Sequence, residues 1–67
     1  MIDIPKMLKK LRDFEGLTAK QISDRMGLKT RASYSCYELG YRDPTILQLH
    51  RILEAMGYEL ELVVTKK

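Results

Sequence analysis

The predicted fold is decided by residues 18–40, which read TAKQISDRMGLKTRASYSCYELG. Thr18 followed by Gln21 is the pattern of a capping box, in which each side chain bonds the backbone of the other residue. This pattern predicts a helix over about residues 19–26. Gly27 ends the helix, because glycine takes up the left-handed conformation of a helix C-terminus at little cost. The stretch therefore begins with a short helix followed by a tight turn.

A second short helix follows that turn. Thr30 is a favourable N-cap and predicts a helix over about residues 31–39, which Gly40 ends. Tyr34 and Tyr37, three residues apart, form the inward face of this helix. Its outward face carries small and polar residues that let a partner approach the backbone closely: Arg31, Ala32, Ser33, Ser35 and Cys36.

Apolar residues at helical spacing predict a longer helix on each side of this pair. Asp3 caps the first, over about residues 4–15, and Thr45 caps the second, over about residues 46–56. The inward stripe of the first is Ile4, Met7, Leu8, Leu11 and Phe14, and that of the second is Ile46, Leu49, Ile52, Leu53 and Met56. The fold is therefore predicted to be mainly α, with four helices.

After the fourth helix, the spacing of apolar residues changes from helical to the alternation that is typical of a strand. Tyr58, Leu60, Leu62 and Val64 alternate with other residues and predict a strand over residues 57–65. A strand needs a partner for its backbone N–H and C=O groups. The partner is either the same segment of a second protomer or residues 1–4. Dimerisation fits better, because so small a chain buries too little surface for a stable core, and the four alternating residues then form the dimer interface.

Length and composition limit the classes of protein to which the chain can belong. The 67 residues suffice for a single domain over residues 1–67, and 45% of them are hydrophobic and 31% charged. One cysteine and one histidine allow neither an internal disulfide nor a four-ligand zinc site, so no metal or cofactor is predicted. No apolar run is long enough to span a membrane and no signal peptide is visible, so a cytoplasmic protein without enzymatic activity is expected.

The distribution of charge favours an acidic partner. Residues 1–31 carry eight basic and four acidic side chains, whereas residues 32–67 carry four and five. Two short helices joined by a glycine-containing turn are the outline of a helix-turn-helix, whose second helix fits the major groove of DNA. The sequence therefore predicts binding to double-stranded DNA.

From Leu8 to Met56 the chain resembles the phage-repressor/Cro-like helix-turn-helix family, often called XRE. The resemblance is carried by LR at 11–12, GLT at 16–18, QISDRMGL at 21–28, YELG at 37–40, PTILQL at 44–49 and LEAMG at 53–57. It implies a compact lambda-repressor-like domain, and a homodimeric repressor that inserts helix 3 into the major groove of an operator with two half-sites. The C-terminal strand is similar to the dimerisation strand of certain antitoxin repressors.

The chain departs from the family pattern at three places. Ala19 stands where the family usually has Gln, and Ser23 stands where it usually has Ala. The span from Gly27 to Glu38 is one residue longer than usual, which places an insertion in the turn near Lys29. Aligned on Glu38, the resemblance implies base contacts by Arg31, Ala32, Ser35 and Cys36. It implies phosphate contacts by Lys20, Lys29, Thr30, Ser33, Tyr41 and Arg42. Glu38 is expected to tie the end of helix 3 to the following loop or to Arg12 instead of touching DNA.

A second class of function is also consistent with the sequence. The same scaffold serves as a protein-binding module, such as an antitoxin that neutralises a toxin or an inhibitor protein. The salt dependence of binding to duplex DNA separates the two classes, because phosphate contacts release counterions and weaken steeply with salt.

Overall fold

A computed structural model describes residues 3–67, and within them the chain forms four helices. They are α1 (Ile4–Phe14), α2 (Ala19–Arg25), α3 (Arg31–Glu38) and α4 (Ile46–Ala55). The mainly α fold with four helices is confirmed. Each helix ends one residue before its predicted end, because that last residue is the C-cap: Glu15, Met26, Leu39 and Met56.

The predicted caps form the helix starts. Thr18 Oγ1 accepts from the Gln21 N–H at 3.1 Å, and the Thr18 N–H donates to Gln21 Oε1 at 2.8 Å. Thr45 and Gln48 form the same reciprocal pair at 3.1 and 2.9 Å. Capping of this kind satisfies backbone donors that a helix start otherwise leaves unpaired. The helix boundaries are therefore fixed by local chemistry.

The core lies where all four helices meet. α3 packs against α1 and α2, and α2 also packs against α4. Tyr34 is fully buried and Tyr37 is 6% exposed, so the predicted inward face of α3 is confirmed. The buried apolar side chains are Leu8, Ile22, Tyr34, Tyr37, Ile52, Leu53 and Met56.

Two residues of the predicted apolar stripes do not belong to the core. Phe14 is 84% exposed and Ile46 is 62% exposed, so their assignment to inward stripes was wrong. Phe14 is the last residue of α1 and Ile46 is the first residue of α4. The periodicity is kept up to these positions, but no neighbouring helix covers the side chain at the end of α1 or at the start of α4.

The strand predicted over residues 57–65 is not found in the structure of residues 3–67. The single chain offers no neighbouring strand, and alternation alone cannot satisfy the backbone groups of a strand. Tyr58 and Leu60 pack against the core, and the Tyr58 hydroxyl donates to Glu15 Oε1 at 2.7 Å. Pairing with residues 1–4 is also wrong where the structure describes them, because Asp3 caps α1 and Ile4 begins it; Met1 and Ile2 lie outside the described residues.

Candidate nucleic-acid interface

The first two residues of α3 are exposed to solvent. Arg31 and Ala32 in its first turn are exposed, whereas Tyr34 and Tyr37 fix the opposite side of the helix in the core. Thr30 Oγ1 accepts from the Ser33 N–H at 3.3 Å and lies 3.1 Å from the Ser33 hydroxyl. The side of α3 that carries the two tyrosines is therefore fixed in the core, and its other side is open to solvent at the end that the resemblance assigns to DNA.

The four residues expected to contact bases differ in exposure. Arg31 and Ala32 lie fully on the surface, but Ser35 and Cys36 are half-buried. The Cys36 thiol donates to the Ser33 carbonyl oxygen at 3.3 Å, and its side chain packs against the core. The first turn of α3 therefore offers more free side-chain surface to a partner than the second.

Ser23, where the family pattern has Ala, joins α2 to the start of α3. Its side chain is buried, and its hydroxyl donates to the Arg31 carbonyl oxygen in a long hydrogen bond of 3.5 Å. The Ser23 carbonyl oxygen accepts from the Leu28 N–H at 2.9 Å. Both ends of the lengthened turn are therefore tied to the same residue of α2.

The residues expected to contact phosphates are spread over four segments, and Ser33 is the one that lies on α3. Lys20 lies on α2 and pairs with Asp24 at 3.5 Å across an exposed surface, and Lys29 and Thr30 lie exposed in the turn before α3. Tyr41 and Arg42 are exposed in the loop between α3 and α4.

Ser33 and Arg42 do lie together, in a cleft of about 290 Å³ between α3 and α4. The guanidinium carbon of Arg42 is 5.8 Å from the centroid of the Tyr37 ring, within the range of a cation–π contact. Two residues of α4 that the sequence did not place in contact with DNA, Gln48 and Arg51, line the same cleft. Their spacing of three residues places them on one side of α4, but only the fold brings that side to face α3.

The far end of α3 is anchored to α1 by the expected contact between Arg12 and Glu38. Arg12 Nε donates to Glu38 Oε2 at 2.7 Å, Nη2 donates to Oε1 at 3.0 Å, and Nη1 donates to the Leu17 carbonyl oxygen at 2.8 Å. The two side chains are 17% and 9% exposed, so this pair is shielded from solvent. The expectation that Glu38 ties helix 3 to Arg12 is confirmed.

Burial and ion pairing act in opposite directions on Glu38. Burial is the largest single effect and raises the pKa of its carboxyl. The hydrogen bonds from Arg12, the Tyr34 hydroxyl, and the charges of Arg12 and Lys9 together outweigh burial, so the pKa of Glu38 lies below its ordinary value. The pKa of the Tyr34 hydroxyl is raised, first by burial and then by the neighbouring Glu38 carboxylate. These shifts keep a buried carboxylate charged beside a neutral phenol, which suits a structural anchor.

The chain belongs to the helix-turn-helix domain family, whose family model matches residues 6–67. It is similar to YqaE of Bacillus subtilis (strain 168), a protein described as an uncharacterized HTH-type transcriptional regulator. The two are 40% identical over 50 residues, which are 70% of this chain and 42% of the relative, so the chain spans less than half of that protein. No solved structure matches the chain significantly.

Two further observations bear on the kind of site. Within residues 3–67, no helix is long and apolar enough to cross a membrane. No group of three or more His, Cys, Asp or Glu side chains in the same part of the chain is arranged to hold a metal ion.

Proposed function

We propose that the chain is a sequence-specific DNA-binding transcriptional regulator that places α3 in the major groove of double-stranded DNA. The observation that carries the proposal is the first turn of α3, where Arg31 and Ala32 are exposed while Tyr34 and Tyr37 fix the other side of the helix. The major groove is about 12 Å wide and admits one helix, which reads bases with its N-terminal residues. An arginine there can pair with both O6 and N7 of a guanine.

Charge and family membership support the same function. Lys29, Arg31 and Arg42 are all exposed, in the turn before α3, in its first turn and in the loop after it. Cations on these segments favour contacts with phosphates on either side of a groove. The relative from Bacillus subtilis is described as a transcriptional regulator of the HTH type.

Selection of bound sequences from a pool of random duplexes tests this function directly. We expect the pool to converge on one motif, and binding to that motif to fall steeply as salt rises from about 50 to 200 mM. A scrambled duplex of the same length is the control and should bind much more weakly. A pool that does not converge, together with binding that does not respond to salt, would contradict the proposal.

We further propose that the chain acts as a homodimer and represses by occupying a promoter. The support is an exposed apolar stretch in the C-terminal segment, where Leu62 is 63% exposed and Val64 is 93% exposed within the described residues 3–67; Ile46 and Leu47 at the start of α4 are exposed as well. Next to it lies an apolar groove of about 400 Å³ between α1, α4 and the C-terminal segment. A second copy buries this surface and supplies the second reader that two half-sites one helical turn apart require.

Sedimentation tests the dimer. We expect the full chain to sediment as a dimer at micromolar concentration and Leu62→Lys as a folded monomer, since a charge on this surface opposes its burial. Lys67→Glu, which alters charge at the end of the same segment, is the control. A wild-type chain that is monomeric at all concentrations would favour the alternative, in which this surface binds a different protein such as a toxin.

A further inference from the structure

We propose that the cleft between α3 and α4 binds one phosphate group of the DNA backbone, with Arg42 and Arg51 as its two cations. This inference rests on the proposed function and adds to it a specific site. Arg42 comes from the loop after α3 and Arg51 from the second turn of α4. The remaining lining residues are Met26, Leu28, Ser33, Tyr37 and Gln48.

Arg42 is held in position by its neighbour in the core. Its guanidinium lies over the ring of Tyr37, which is 6% exposed and cannot move freely. A stacked guanidinium keeps its N–H groups available at the edge of the plane, which is the geometry that pairs with two phosphate oxygens. The contact with Tyr37 therefore orders Arg42 before any ligand arrives.

Arg51 has no acidic partner within residues 3–67. The carboxylate nearest to it along α4, that of Glu54, lies 2.6 Å from His50 Nε2. Arg25, on the other side of Arg51, donates to the Ala55 carbonyl oxygen at 2.8 Å and so joins α2 to the end of α4. Of the two arginines, Arg25 has a hydrogen-bond partner, whereas the Arg51 guanidinium has neither a hydrogen bond nor an ion pair within the described residues.

The other polar groups of the cleft are suited to an anion. Gln48 Oε1 accepts from the Thr45 N–H, which leaves the amide nitrogen as the free hydrogen-bonding group of that side chain. Ser33 adds a hydroxyl from α3. No carboxylate lines the cleft, and its volume of about 290 Å³ is far larger than one water molecule needs. Two cations, an amide and a hydroxyl together form a site for an oxyanion.

The position of the cleft favours the DNA backbone as the source of that anion. A helix with its side chains is about 10–12 Å across and fills a major groove of about 12 Å, so the sides of the helix face the two phosphate strands. Ser33 lies on α3 two residues after Arg31, and Arg42 follows the same helix. A phosphate bound in the cleft is then part of the strand that borders the bases read by the first turn of α3.

The test compares the salt dependence of binding for the full-length chain and Arg51→Ala on the selected duplex. Loss of one phosphate contact should make the slope of log affinity against log salt shallower by about 0.9 per bound chain. The ratio of wild-type affinity to variant affinity should therefore fall about 3.5-fold between 50 and 200 mM salt. Lys10→Ala, which removes one exposed charge from α1, should leave the slope unchanged. Arg51→Lys keeps the charge and should keep the slope.

A second measurement locates the contact on the DNA. Single backbone phosphates of the duplex are replaced one at a time by uncharged methylphosphonates. At one position beside each half-site, we expect the methylphosphonate to lower the affinity of the wild-type chain. The same replacement should leave the affinity of Arg51→Ala unchanged, because that variant has already lost the contact. Inorganic phosphate added at constant ionic strength should not release the duplex, since a single free phosphate lacks the other contacts of the backbone.

The outcomes separate this inference from the function on which it rests. Equal slopes for the wild type, Arg51→Ala and Lys10→Ala would overturn the phosphate site while leaving DNA binding intact. Equal losses of affinity by the wild type and Arg51→Ala at every methylphosphonate position would overturn the backbone as the source of the anion. A wild-type chain with no salt-dependent duplex binding would overturn the proposed function itself, and the phosphate site with it. Circular dichroism of each variant confirms that it is folded.

Discussion

Arg31 and Lys29 lie two residues apart on the same surface, but their expected roles differ. Arg31 stands in the first turn of α3, which reads base edges in the proposed function, and Lys29 stands in the turn before it. We expect Arg31→Ala to cost about 1–3 kcal/mol and to relax preference at one base pair of each half-site. We expect Lys29→Ala to weaken binding to all sequences alike. Affinities for the selected duplex and its single-base variants measure both, and equal losses on every duplex would refute base reading by Arg31.

The buried pair of Arg12 and Glu38 predicts a pH dependence of stability. The pKa of Glu38 is lower in the folded chain than its ordinary value, so ionisation of this carboxyl stabilises the fold above its unfolded pKa of about 4.3. That contribution is lost as the pH falls through the folded pKa. We expect Glu38→Gln to be less stable at pH 7 by about 1–3 kcal/mol and to lose less stability on acidification.

Urea unfolding at several pH values between 7 and 3 measures this effect. Asp13→Asn is a suitable control, because Asp13 is exposed and contacts Arg12 only at 3.6 Å. If the free energy of unfolding falls in parallel with pH for the wild type and Glu38→Gln, the contact between Arg12 and Glu38 is not a charged pair.

The turn between α2 and α3 depends on the backbone conformation of a single residue. Gly27 has a φ of +73°, and a Cβ built there meets nothing within 4 Å. The cost of Gly27→Ala is therefore conformational, about 1–2 kcal/mol for a left-handed L-residue, without any steric clash. We expect Gly27→Asn to be less destabilising, because asparagine tolerates this conformation better. Thermal unfolding of the two variants measures the difference, and an alanine variant as stable as the wild type would contradict this explanation.

The elements also show which parts of the fold the sequence could predict. Helices are specified by residues three or four apart, so Thr18 with Gln21 and Thr45 with Gln48 located their helices to within one residue. A strand also needs a second strand with which to pair, and the alternation of residues 58–64 contains no information about where that second strand would come from. The cleft with Arg51 was missed for a similar reason, because α2, α3 and α4 all contribute to it and no local spacing joins them.

For the whole molecule, the proposed dimer predicts that stability depends on concentration. Tyr58 and Leu60 pack on the core, whereas the side chains of residues 61–67 are exposed. A chain that ends at residue 60 therefore keeps the packing of its own core and loses the apolar end of the segment. We expect the melting temperature of the full chain to rise over a hundredfold increase in concentration and that of the truncated chain to stay constant, because association stabilises only the folded state. A full chain that melts at one temperature throughout would contradict the dimer.

The unequal attachment of the two ends of α3 has a consequence for its motion. The C-terminal end is fastened by two short hydrogen bonds between Arg12 and Glu38, while the N-terminal end is held by the Thr30 cap and the long bond from Ser23. Local opening begins where fewer buried contacts resist it. Backbone amides should therefore exchange with deuterium faster in the first turn of α3 than in its last. In the proposed complex with DNA, the end of α3 that reads the bases can therefore change its conformation more readily than the end anchored to α1.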